Sequence, residues 1–105
     1  MPYEIHSLYE ILECEPNREE IISALAERSC RVFEVIQPAN ALVPYHVHEE
    51  DEVIIMLEGQ VKMNIEEDLI VIGLGDVLTI KAESIHSAMT MDEKPAKLLL
   101  AYGSI

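Results

Sequence analysis

A chain of 105 residues with 20 acidic and 7 basic side chains, and with half its residues hydrophobic, has room for one packed core and one domain. Its net charge of −13 excludes a nucleic-acid binder, which needs clustered Lys and Arg against phosphate, and a protein that docks on anionic membranes. No apolar run approaches the ~18 residues of a membrane span. The start, Met1-Pro2-Tyr3-Glu4, lacks the basic and apolar regions of a secretory leader, so a cytoplasmic location is expected.

The first sixteen residues are weakly periodic. Ile5, Leu8, Ile11 and Leu12 suit a short helical turn or an edge segment packed on the core, with His6 at the surface. Glu15-Pro16 disfavours helix, after which Asn17 reads as an N-cap with Glu20 as its capping partner. The helix it opens is expected over residues 18–29, with Ile21, Ile22 and Leu25 on its apolar face. Cys14 and Cys30 form no Cys-x-x-Cys pair and are expected as two reduced thiols.

From Cys30 onward the chain reads as strands. Expected spans are 30–37, 41–48, 52–57, 60–65, 69–72, 77–80, 86–91 and 97–102. Turns are marked by Pro38-Ala39-Asn40, Gly59, Glu66-Glu67-Asp68, Gly73-Leu74-Gly75-Asp76 and Asp92-Glu93-Lys94-Pro95. In the run Glu52 to Leu57, apolar residues occur at both parities, so both faces must be covered: one by the interior, the other by the helix, another sheet or a partner. Many short strands at regular spacing, interrupted by a single helix, define an all-β barrel or sandwich.

The densest chemistry lies between His46 and Gly59. On a strand, His46 and His48 leave the same face, and Glu52 follows four residues later at the start of the next strand. Two imidazoles and a carboxylate facing one point suit a divalent transition metal, and His86 is the candidate for a further ligand. By strand alternation, Ile54 and Met56 share parity with Glu52, while Ala88 and Thr90 share it with His86. These four are the expected pocket walls. Tyr45, Glu83 and Tyr102 are candidate mouth residues. Glu49, Glu50 and Asp51 read as a solvated charged loop, and Asp76 as a turn residue.

The pattern His46-x-His48-x3-Glu52-x6-Gly59 resembles the first signature of the cupin superfamily, and Gly75-Asp76-x4-Lys81-x-Glu83-x2-His86 resembles the second. The resemblance covers roughly residues 30–102. It implies a double-stranded β-helix, or jelly-roll barrel, forming a single cupin domain over 1–105, with an N-terminal segment and short helix over 1–29. Carried over position by position, His46, His48, Glu52 and His86 match the family's three-histidine, one-carboxylate ligand set for iron, manganese, nickel or zinc. Homodimers formed through outer strand faces and exchanged N-terminal segments are also implied. Lys81 stands where the family usually has proline, Glu83 where it has glycine, and Thr90 where it often has asparagine. The glycine serves a turn with unusual dihedrals, so Glu83 implies an altered loop before His86.

Two functions of different class follow. One is a metal-dependent enzyme on a small organic substrate, dioxygenase-like or a Lewis-acid isomerase or lyase. The other is a non-catalytic module that binds or senses a small ligand or metal.

Overall fold

The computed structural model describes residues 2–28, 30–91 and 93–103. In chain order the elements are β1 (Tyr3–Ser7), α1 (Leu8–Leu12), α2 (Arg18–Glu27), β2 (Arg31–Gln37), β3 (Leu42–His46), β4 (Glu52–Glu58), β5 (Val61–Ile65), β6 (Asp68–Ile72), β7 (Asp76–Ile80), β8 (His86–Thr90) and β9 (Ala96–Tyr102). The strands form two antiparallel sheets, ordered β1-β7-β4-β9-β2 and β3-β8-β5-β6, which face each other as a jelly-roll barrel.

The N-terminal segment combines both readings of its sequence. Residues 3–7 pair antiparallel with β7 as an edge strand of the larger sheet, with Tyr3 opposite Ile80 and Ser7 opposite Asp76. A second helix then follows where the sequence reading places one helix in all. Ser7 and Glu10 form a reciprocal capping box, each side chain bonded to the other's backbone N–H at 3.2 and 3.0 Å. That local pair lets a five-residue helix start directly from a strand. Asn17 caps α2 as expected, its side chain accepting from the backbone of Glu19 and Glu20. The expected last residue of this helix, Ser29, lies outside the described residues.

Strand β4 explains the layering. Ile54 and Met56 enter the barrel core with Val61, Met63, Ile65, Leu78 and Leu98. Val53 and Ile55 enter a second core, made with Leu8 and Leu12 of α1 and Ile21 and Leu25 of α2. The two helices therefore cover the outer apolar face of β4 within the chain itself. Burying each of Ile21, Leu25 and Ile55, all at 0% exposure, is worth roughly 1.5–3 kcal/mol.

In the turn between β7 and β8, Glu83 adopts φ 66°, the left-handed conformation that glycine favours. Four bonds hold it there. Lys81 N–H donates to Pro2, Ala82 N–H to the Asp51 carboxylate at 2.8 Å, Glu83 N–H to the His48 carbonyl at 2.9 Å, and Ser84 N–H to Lys81. Asp51 is thus a structural acceptor, not part of a merely solvated loop. Asp76 closes its own turn, exchanging bonds with Gly73. A left-handed non-glycine residue costs ~1–2 kcal/mol, and glycine gives back part of that in unfolded-chain entropy. Glu83→Gly is therefore expected to stabilise the protein by about 0.5–1 kcal/mol and to raise the melting temperature by a few degrees. Thermal unfolding followed by circular dichroism checks this.

Candidate metal centre

Three elements from both sheets meet at one end of the barrel. His46 is the last residue of β3, opposite His86, the first residue of β8. Glu52 opens β4 in the other sheet, opposite Tyr102 of β9 and Ile80 of β7. β3 stops at His46, two residues earlier than its sequence suggests. A register shift between Val43 and His46, at Pro44, interrupts the ladder there. His48 consequently lies in the connection to β4, fastened by the bond from Glu83 to its carbonyl. Its ring still converges on the others. The ring centroids lie 4.8 Å apart for His46 and His48, 4.3 Å for His46 and His86, and 5.3 Å for His48 and His86.

One ligand nitrogen from each of His46, His48 and His86 falls within 4.8 Å of the others. The orientation of two of these rings is fixed by their own chain. Nδ1 of His46 donates to the Pro44 carbonyl at 2.7 Å, and Nδ1 of His86 to the Ser84 carbonyl at 2.9 Å. A carbonyl can only accept, so Nδ1 carries the proton and the Nε2 lone pair is turned to the centre. Glu52 completes the group. Its Oε2 is 3.2 Å from His48 Nε2, and its Oε1 is 3.4 Å from His86 Nε2.

These separations close no hydrogen bond: Nε2 of His48 and of His86 are buried polar atoms without a partner. Such atoms are costly to leave unmet, and a cation shared by the imidazoles and the carboxylate would satisfy both. The residues present therefore fit a divalent metal. His46, His48 and His86 are positioned to bind one, and Glu52 stands beside them.

Glu52 has a partner of its own. The Tyr102 hydroxyl donates to Oε2 at 2.6 Å, which engages that oxygen and leaves Oε1 toward His86. Tyr102 is also packed edge-on by Phe33 and lies beneath the Arg31 guanidinium, which in turn pairs with Glu50. Of the three candidate mouth residues, Tyr102 alone reaches the cluster. Tyr45 is exposed, and Glu83 acts through its backbone.

Burial pushes the Glu52 carboxyl up, but the adjacent His86 ring, the hydrogen bond from Tyr102 and the nearby His48 imidazole outweigh it and hold the group below its ordinary value. Burial pushes His86 down, and the adjacent Glu52 carboxylate and the bond to the Ser84 carbonyl outweigh that, leaving it above its ordinary value. Tyr102 is raised by burial and by the adjacent carboxylate.

A cavity of about 110 Å³ opens from this cluster into the barrel, lined by His46, Glu52 and His86 at one end. Ile54 and Ala88 line it as the alternation of their strands requires. Met56 and Thr90 do not. Both are buried, but alternation fixes only the direction of a side chain, and the cavity wall beside them is supplied by their cross-strand partners Leu98 and Val61. His48 also stands outside the cavity lining, on the wall of an outer groove with Arg31, Phe33 and Tyr102. Gln37 lines the cavity and was not singled out from the sequence. The available signal was its parity with Val35 on the same strand.

The two-sheet jelly roll thus brings three histidines and a carboxylate together at its mouth, a candidate metal site. Residues 32–102 match the family described as the cupin domain, and the chain belongs to that family. Solved structures agree. A cupin protein from Bacteroides fragilis is 26% identical, with a TM-score of 0.64 over 72% of this chain and 69% of its own. DMSP lyase DddQ from Ruegeria pomeroyi DSS-3 is 24% identical, with a TM-score of 0.65 over 71% of this chain and 38% of its own. A conserved protein of unknown function from Streptococcus pyogenes is 14% identical, with a TM-score of 0.63 over 70% of this chain and 63% of its own. The match thus spans less than two thirds of the latter two structures. No curated protein matches the sequence.

Two outcomes are expected. Tyr102→Phe removes the bond that orients Glu52 and should weaken metal affinity by about 10–100-fold while keeping the same stoichiometry, as read by calorimetric titration. In the chelator-treated protein, the lowered Glu52 contributes stability above pH 4.5, lost as pH falls through its depressed value. The raised His86 contributes stability below pH 6.5, lost as pH rises through its elevated value. The melting-temperature gap between wild type and His86→Gln should therefore be widest between those two pH values.

Proposed function

We propose that this cupin holds one divalent transition metal on His46, His48, Glu52 and His86, and acts as a metal-dependent enzyme on a small organic substrate. The observation that carries the reading is the pair of buried, partnerless Nε2 atoms on His48 and His86, converging with Glu52 beside an apolar cavity. A bound iron or manganese would supply oxygen chemistry there, and zinc, nickel or manganese would supply Lewis acidity for isomerisation or lyase reactions. The chain's own part is to orient the ligands and to line the substrate space. Pro44 and Ser84 carbonyls fix two imidazoles, Tyr102 fixes the carboxylate, and aliphatic walls keep the substrate space apolar. Among the described residues, the cavity lining offers no acid or base outside the ligand set. That supports reactions in which the metal does the activation over those needing a separate proton shuttle.

The same scarcity favours the second reading, a module that binds or senses a small ligand or metal without turnover. A cytoplasmic location fits either reading, as do a small-molecule partner and no role for nucleic acid or membrane. In the described residues no helix is long and apolar enough to cross a membrane. A homodimer is supported by the outer face of the smaller sheet, where Leu42, Leu69, Val71 and Met89 are exposed.

Elemental analysis of protein purified without a histidine tag is expected to find about one iron, manganese, nickel or zinc per chain, lost in His48→Ala and His86→Ala. Light scattering on the same sample should give twice 11.9 kDa. An empty wild type that also refuses added metal would sink the metal reading. Oxygen uptake or product formation with short oxo and hydroxy acids separates enzyme from binder.

A further inference from the structure

We infer that the cavity takes a short aliphatic acid whose far end carries a hydroxyl or carbonyl, and that Gln37 is the residue that reads that end. The inference rests on the metal reading above and extends it to the class of ligand.

Size comes first. A dry cavity of ~150 Å³ takes benzene, so about 110 Å³ takes a ligand of about four to six non-hydrogen atoms. Sugars, nucleotides and aromatic acids are too large.

Charge and polarity come next. Eight aliphatic side chains line the space, among them Val35, Val43, Val61, Met63, Leu98 and Leu100. No Lys or Arg lines it among the described residues, so nothing inside would neutralise a second anionic group or a phosphate. Neutral imidazoles, one carboxylate and a divalent ion together leave a single positive charge at the mouth. One monoanionic head matches that charge, and the body behind it must be aliphatic.

Gln37 breaks the apolar lining at one place. It is the last residue of β2, opposite Ala96, whereas the cluster lies at the Tyr102 end of β9, opposite Arg31. It therefore stands at the other end of the strand pair from the metal centre. Gln37 is 8% exposed, and the one hydrogen bond its side chain makes among the described residues is long, Nε2 to the Ala41 carbonyl at 3.4 Å. A primary amide can make about four such bonds, so a buried one with a single weak bond has capacity to spare. A polar group held at the end of an apolar tube discriminates strongly against a ligand that lacks the matching atom.

The test is calorimetric titration of zinc-loaded protein with acids matched in size. Butyrate and 3-hydroxypropionate have about six non-hydrogen atoms each, and valerate and 4-hydroxybutyrate are one carbon longer. Benzoate serves as the oversized control. In wild type the hydroxy acid of at least one pair should bind more tightly than its methyl counterpart. In Gln37→Met, which keeps side-chain length, the ratio should shift toward the methyl acid by about tenfold. Gln37→Leu provides a second variant, and zinc content and melting temperature report whether each has folded. An unchanged ratio in a folded, zinc-loaded variant overturns the role of Gln37. Benzoate binding as tightly as the short acids, or no binding of any short acid to a zinc-loaded wild type, overturns the ligand class. Failure of wild type to load zinc removes the metal reading itself, and this inference with it.

Discussion

Two imidazole nitrogens buried beside a carboxylate, with no hydrogen bond to any of their neighbours, are the constraint around which this barrel is built. Leaving buried polar atoms unmet costs on the order of 1–3 kcal/mol each, and two of them converging beside one carboxylate call for a shared partner. The supporting structure is spent on holding them in place. His86 is fixed by Ser84, His46 by Pro44, Glu52 by Tyr102, and the His48 backbone by Glu83. The partners come from both sheets and from the loop that crosses between them, so the centre and the closure of the barrel mouth are one set of contacts.

The larger sheet makes this affordable in so short a chain. β4 carries Glu52 at its start and then alternates between two cores, one inside the barrel and one beneath α1 and α2. The helices keep the strand that bears the buried carboxylate dry on its outer side. Without them Val53 and Ile55 would face water, and the strand would need a partner chain to cover it. The N-terminal segment adds a second tie, since the Pro2 carbonyl accepts from Lys81 and from the hydroxyl of Ser84, whose own carbonyl orients His86.

Much of this was legible in the sequence because it is local or periodic. Alternating apolar residues and turn signals give the strands, Asn17 gives the start of α2, and the spacing of His46, His48 and Glu52 gives the cluster, with His86 joined to it by the second motif. What stayed hidden depends on contacts distant in the chain. The capping box of Ser7 and Glu10 starts a helix too short to show a period, and β1 is defined by its pairing with β7. Asp51 looks like one more acid in a charged loop until the Ala82 N–H is brought to it. Glu83 looks disruptive because residue type argues for glycine, yet three backbone bonds and one to the Asp51 carboxylate hold the turn against a left-handed penalty of ~1–2 kcal/mol. Met56, Thr90 and Gln37 mark the same limit from the other side. Parity tells which way a side chain points, but where a barrel stays open depends on how all the inward side chains pack together.

The most direct test of the central claim is anomalous diffraction from crystals of the purified protein, recorded at the absorption edges of iron, manganese, nickel and zinc. The structure calls for a single anomalous peak within about 2.0–2.3 Å of the Nε2 atoms of His46, His48 and His86 and of a Glu52 oxygen. A centre that shows no peak after metal soaking, with His48 and His86 turned to bond water or protein instead, would contradict it.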